Sequence, residues 1–197
     1  MKVKIGQIRA KIYHPFVVFL ISVSMCMLVL WVERSVGIEW DFHPDANTYI
    51  TKSNAAENNF MTFYKGNLFY IIVNFFNSNI NTVIAFNVFL YALTNVSLAR
   101  FFIKRSRAKH VLTFILFYLV IFNPYRIHLS VHVLKDTLII FGLVFFFSFS
   151  KRYSWVFLFI SFMVSLRVSI YLVSVMNKRN LIIVMVLVVA FILTLPM

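Results

Sequence analysis

The stretch DFHPDANTYITK places Asp41, His43 and Asp45 at alternate positions and follows them with Tyr49 and Lys52. Alternate side chains of an extended segment project to one side, so the spacing predicts a carboxylate, an imidazole and a second carboxylate facing together. Such a set suits general-base chemistry, or it holds a divalent cation through oxygen and imidazole ligands. The bland alternative is a solvated loop.

A second set runs through NPYRIHLSVHVLKD, where Arg126, His128, His132, Lys135 and Asp136 interrupt an otherwise apolar chain. His128, His132 and Lys135 are spaced i, i+4, i+7, which on a continuous helix gives them one face. A cationic stripe of this kind suits a phosphate or pyrophosphate, whose oxygens take charge-assisted hydrogen bonds. Its rival is snorkelling to lipid headgroups, with Lys135 and Asp136 neutralising each other. The histidine pair also fits a metal, although no other motif supports that use. Arg167, in FLFISFMVSLRVSIYLV, has no acidic neighbour in sequence. It must reach a lipid phosphate, a carboxylate such as Asp136, or water.

The elements that position these residues follow from composition. Of 197 residues 61% are hydrophobic, 24 are Phe, and 19 Lys+Arg stand against 6 Asp+Glu. Soluble domains are about 45–50% apolar and about 25% charged, whereas this chain is 13% charged with a mean hydropathy of +0.87. It reads as an all-α polytopic membrane protein forming one transmembrane domain over 1–197. At about 20 residues per crossing of a roughly 30 Å hydrocarbon core, it has room for about six membrane helices, a juxtamembrane helix and one long external loop. The net charge of +13 would suggest nucleic acid in a soluble protein. Here the charges sort by loop, so the expected partners are membrane lipids and no nucleic acid. Cys26, the single cysteine, cannot form an intrachain disulfide.

Residues 1–15 carry Lys2, Lys4, Arg9 and Lys11 ahead of an apolar run at 16–32, which predicts a cytoplasmic tail and a first span. The following WVERSVGIEW lacks the small residues of a cleavage site, so this span is expected to be retained. Residues 33–67 form the external loop and hold Glu33, Glu39, Asp41, Asp45 and Glu57, five of the six acids. LFYIIVNFF, from Leu68 to Phe76, is too short to cross and reads as an interfacial helix. Thr82 to Ile103 is a full span, closed by a cytoplasmic basic run from Arg100 to Lys109. Val111 to Phe122 returns outward and stops at Pro124. The next segment runs to Lys151 and Arg152. Residues 154–175 either cross once, which puts Lys178 and Arg179 outside against the charge bias, or form two half-helices with Arg167 at the tip, which leaves them inside and is the reading the bias favours; a last apolar run follows from Leu181 to Leu195. The predicted location is the bacterial cytoplasmic membrane, multi-pass, with the N-terminus in the cytoplasm. Walker A, G-x-G-x-x-G and G-x-S-x-G patterns are absent from the sequence, against a soluble-type nucleotide site.

The order of parts, a first span, a loop with PDANTY, then YKGNLFYIIVNFF and a span ending in a basic loop, resembles the start of the GT-C family of polyprenyl-phosphate-dependent membrane glycosyltransferases. In the family pattern P-D-E-x-x-Y, Pro44, Asp45 and Tyr49 match, while Ala46 replaces the second acid. Lys65 and Leu68 to Tyr70 are similar to the family's approach to its next hydrophobic stretch, without the prolines. NPYRIHLSVHVLKD looks like the outer turn of surface-polysaccharide glycosyltransferases and O-antigen-type polymerases, and SLRVS like their re-entrant pair.

The resemblance implies transfer of a sugar from a polyprenyl phosphate or diphosphate carrier to a glycan or lipid acceptor. On that basis Asp45, or else Asp41, is the general base. Arg126, Lys135 and Arg167, with His128, His132 and Lys65, face the carrier phosphate, and His43 and Tyr49 orient the sugar or base. No metal ligand is assigned, and a divalent metal is the one cofactor left open. Two other functions fit the same parts: a lipid-linked-sugar flippase, and a non-catalytic accessory subunit of a larger membrane glycosyltransferase.

Overall fold

A computed structural model describes residues 14–55, 68–105, 111–148 and 151–165. Its described residues form α1 (Pro15–Ser35), α2 (Pro44–Ala55), α3 (Leu68–Phe75), α4 (Ile80–Arg105), α5 (Val111–Ile121), α6 (Pro124–Ser130), α7 (Asp136–Ser148) and α8 (Lys151–Val164), with no strand among them. The all-helical expectation therefore holds. Two helices, α1 and α4 over Ile80–Phe102, are long and apolar enough to cross a membrane. The about six spans expected are not reached among the described residues: α7 and α8, with 13 and 14 residues, extend only about 20 Å each at 1.5 Å per residue.

Helix α1 begins with Pro15 in its first turn, where a missing N–H costs nothing and the fixed φ is helical. Its buried residues, Val18, Ser22, Cys26 and Glu33, lie on one stripe. Phe16, Leu20, Met27, Leu28 and Trp31, the last at 68% exposure, cover the remainder with bare apolar surface. The helix ends on Gly37, at φ +82°. There the Ile38 N–H donates to the Glu33 carbonyl at 2.8 Å and the Gly37 N–H to that of Arg34 at 3.2 Å, a Schellman closure that only glycine adopts without strain.

The inward stripe of α1 packs on α4, and α4 also carries α5, α6 and α7. Asn95 of α4 donates to Ser22 Oγ at 3.1 Å. The asparagines of NSNINT act as punctuation: Asn77 takes positive φ after α3, and the side chain of Asn79 accepts from the Thr82 N–H at 3.2 Å to cap α4.

Two expectations are corrected. Asp41, His43 and Asp45 do not alternate along an extended segment, because α2 starts at Pro44. Ala46, Tyr49, Ile50 and Ser53 supply the helical spacing i, i+3, i+4, i+7 that faces the interior; all are buried except Ile50, which is partly so. Nor do His128, His132 and Lys135 share one continuous helix. Helix α6 stops at Ser130 and α7 starts at Asp136. The amide of Asn87, itself fully buried, donates to the carbonyls of His132 at 2.8 Å and Leu134 at 3.0 Å, which satisfies the backbone of the break from α4.

Helices α7 and α8 form an antiparallel hairpin that meets at Gly142. A methyl group built on Gly142 would lie 2.7 Å from the Phe157 carbonyl and 1.9 Å from Ser161 Oγ, the close helix–helix approach that a residue without a side chain permits. Gly142→Ala is expected to destabilise the fold by about 1–3 kcal/mol through overpacking, read as a lower unfolding midpoint in detergent. An unchanged midpoint would show that the two helices slide apart freely.

Candidate functional site

The inward stripe of α1 ends in a carboxylate. Glu33 is 8% exposed in the helix's last turn, where the dipole of the C-terminus disfavours negative charge. Donors must offset this, and they come from α6 and the break after it. Nδ1 of His128 lies 2.6 Å from Glu33 Oε1, and Nε2 of His132 lies 3.1 Å from Oε2.

The Gly37 turn then leads the chain back over this pair. The carbonyl of Trp40 comes to 3.3 Å from Nδ1 of His132, and His43 arrives with its Nε2 2.7 Å from Nε2 of His128. The result is a carboxylate and three imidazoles in contact, with ring centroids 4.5–5.2 Å apart. His132 is 2% exposed, His43 and His128 are half-buried, and Phe42 sets its edge against both of the latter. Burial, then the neighbouring His128 and His132, push the pKa of His43 below the ordinary histidine value, against an upward pull from Asp136 and Glu33. A neutral His43 beside a proton-sharing His128 is a competent proton acceptor.

No protein-family model, curated protein or solved structure matches this chain.

Of the residues expected from sequence, His43, His128 and His132 come together, and Lys135 and Asp136 lie in and beside the same break. The Lys135 ammonium sits 5.7 Å over the ring of Tyr49, a cation–π distance, which ties the break to α2. Asp45 and Asp41 are exposed at the start of α2 and just before it. Burial raises the pKa of Tyr70, and the charge of Asp45 adds to the rise; the Tyr70 ring lies 5.6 Å from that of Tyr49.

Arg126 turns elsewhere. Its guanidinium donates to the Val120 carbonyl at 2.9 Å and to Asn95 Oδ1 at 3.1 Å, and lies 5.2 Å over the ring of Tyr91. It therefore ties α4, α5 and α6 together and does not face the histidines. Lys65 and Arg167, and with them the tip expected between two half-helices, lie outside the described residues; α8 ends at Val164.

Sequence reasoning missed Glu33 as a site residue, counting it only among the loop acids. The signal was Ser22, Cys26 and Glu33 on one face of an apolar helix, since a carboxylate facing inward at a membrane boundary needs a partner. The break that presents His132 depends on Asn87. Asn87→Ala would remove the side-chain donor from the Leu134 carbonyl and leave the His132 carbonyl with only the Leu134 N–H at 3.0 Å, at about 1–3 kcal/mol in all. Thermal unfolding in detergent checks this, and a shift equivalent to under about 1 kcal/mol would mean that water replaces the amide.

Proposed function

We propose that the chain is a multi-pass protein of the bacterial cytoplasmic membrane that transfers a sugar from a polyprenyl phosphate or diphosphate carrier to an acceptor hydroxyl at the outer face. One observation supports this above the rest: the acid-bearing helix α2 packs against the break that bears Lys135, through Tyr49. A transfer centre needs an acceptor-side base and a carrier-side cation within one substrate's reach. The bare Phe, Leu and Trp faces of α1, with Leu116 and Leu119 of α5 and Trp155 and Phe159 of α8, support a lipid setting. The basic runs at the N-terminus and at 100–109 support the inside-out assignment.

In this mechanism Asp45 takes the acceptor's proton as the hydroxyl oxygen attacks the anomeric carbon. The bond from that carbon to the carrier oxygen breaks, and its electron pair leaves with the phosphate. Lys135 stabilises the charge that grows there. His43 and Tyr49 line the acceptor side. The deciding experiment is sugar transfer from a lipid-linked donor by the purified chain in lipid nanodiscs. Asp45→Asn is expected to lose it and Glu39→Gln, an exposed acid in the same loop, to keep it. Full activity in Asp45→Asn would overturn the base assignment.

A further inference from the structure

We propose that His43, His128 and His132 bind one divalent transition-metal ion, zinc by preference, with Glu33 holding two of the three ligands in place. Ligand atoms of the three imidazoles all lie within 4.8 Å of one another. Three histidines and one open position make a familiar catalytic zinc set. Zn–N bonds of about 2.0–2.1 Å in a tetrahedron put the nitrogens about 3.3–3.4 Å apart. The His43 and His128 pair, at 2.7 Å, has to open slightly, and His132 has to close in.

The tautomers suit the task. Glu33 Oε1, 2.6 Å from His128 Nδ1, accepts its proton and leaves the lone pair on Nε2, the atom that faces His43. A carboxylate behind a ligating histidine is the usual outer partner that fixes ring orientation and raises basicity. Glu33 Oε2 engages His132 at Nε2 in the same way, so Nδ1 becomes the ligand atom by giving up its 3.3 Å contact with the Trp40 carbonyl. Nε2 of His43 and Nε2 of His128 converge to 2.7 Å, so the two rings already aim at one point, where an ion would sit between them in place of the hydrogen they share. A nitrogen-rich set selects zinc, copper, nickel or iron over calcium and magnesium, which prefer oxygen. The half-buried edge at His43 leaves the fourth position to water or an anionic oxygen. The proposal does not depend on sugar transfer.

The test uses the full chain purified in detergent without a polyhistidine tag, stripped with chelator and titrated with Co²⁺ or Zn²⁺ alone. We expect one equivalent bound, with the visible absorption of tetrahedral Co²⁺. His43→Ala and His128→Ala should each weaken binding about tenfold or more, and Glu33→Gln about 10- to 100-fold, while Lys52→Ala, exposed on α2, should leave it unchanged. His132 is buried, so its removal risks unfolding; His43, at the open edge, keeps the test decisive. A monodisperse parent protein that binds no stoichiometric metal would overturn the proposal. So would affinity unchanged in both His43→Ala and His128→Ala.

Discussion

Replacing Glu33 by alanine is expected to lower the unfolding free energy by about 3–5 kcal/mol, the loss of two buried hydrogen bonds to a charged group at about 1.5–3 kcal/mol each. The carboxylate is bonded from two elements, to His128 at 2.6 Å and His132 at 3.1 Å, with side chains 11%, 23% and 2% exposed respectively, so little solvent screens the contact. Alanine would leave both imidazoles without their acceptor and open a gap between α1 and α6. Glu33→Gln keeps the volume and one acceptor oxygen, so its loss should be smaller, about 1.5–3 kcal/mol for a hydrogen bond to a charged group. Equilibrium unfolding in one detergent, with parent and variants at equal concentration, measures both. An alanine variant within about 1 kcal/mol of the parent would place Glu33 in the class of solvated surface pairs.

The helices were largely legible in the sequence because their signals are local. Basic flanks and apolar runs predicted spans at 16–32 and 82–103, and the helices found are Pro15–Ser35 and Ile80–Arg105. The Asn-Pro at 123–124 marked the stop before α6, where Asn123 Oδ1 accepts from the Arg126 N–H at 3.2 Å. Less legible was α2, since its helical spacing of Ala46, Tyr49, Ile50 and Ser53 lies in a hydrophilic loop where alternating acids suggested extension.

The site was half legible for a different reason. Residue type flagged His43, His128, His132 and Lys135, but their meeting depends on long-range contacts that no local pattern encodes. His43 and His128 are 85 positions apart, and the break between α6 and α7 is supported by Asn87, 45 positions before His132. A continuous helix would have kept His132 in a stripe with Lys135. The break instead turns His132 onto Glu33 and Lys135 onto Tyr49. Arg126 shows the converse: its charge suggested a phosphate ligand, while Asn95 and the Val120 carbonyl make it a brace between helices.

The second large effect concerns rate. Asp45→Asn is expected to lower the transfer rate about 10²- to 10⁴-fold, the usual range for a lost general acid or base, with little change in fold. Asp45 is exposed in the first turn of α2, so asparagine there forfeits only about 0.3–1 kcal/mol of helix-dipole stabilisation. Activity and stability therefore separate in this variant as they cannot at Glu33. The loss should fall on kcat, because the base acts on the acceptor proton in the transition state and not on the bound carrier. Lys135→Gln should behave differently, weakening carrier binding as well as slowing the step, since an ammonium near the phosphate contacts it in both ground and transition states. A parallel measurement on His43→Gln tells the two candidate bases apart. If His43→Gln abolishes transfer while Asp45→Asn retains more than about a tenth of it, short of the effect of a lost base, then the base is the imidazole that shares a proton with His128. The carboxylate of α2 would then be a spectator at the mouth of the site.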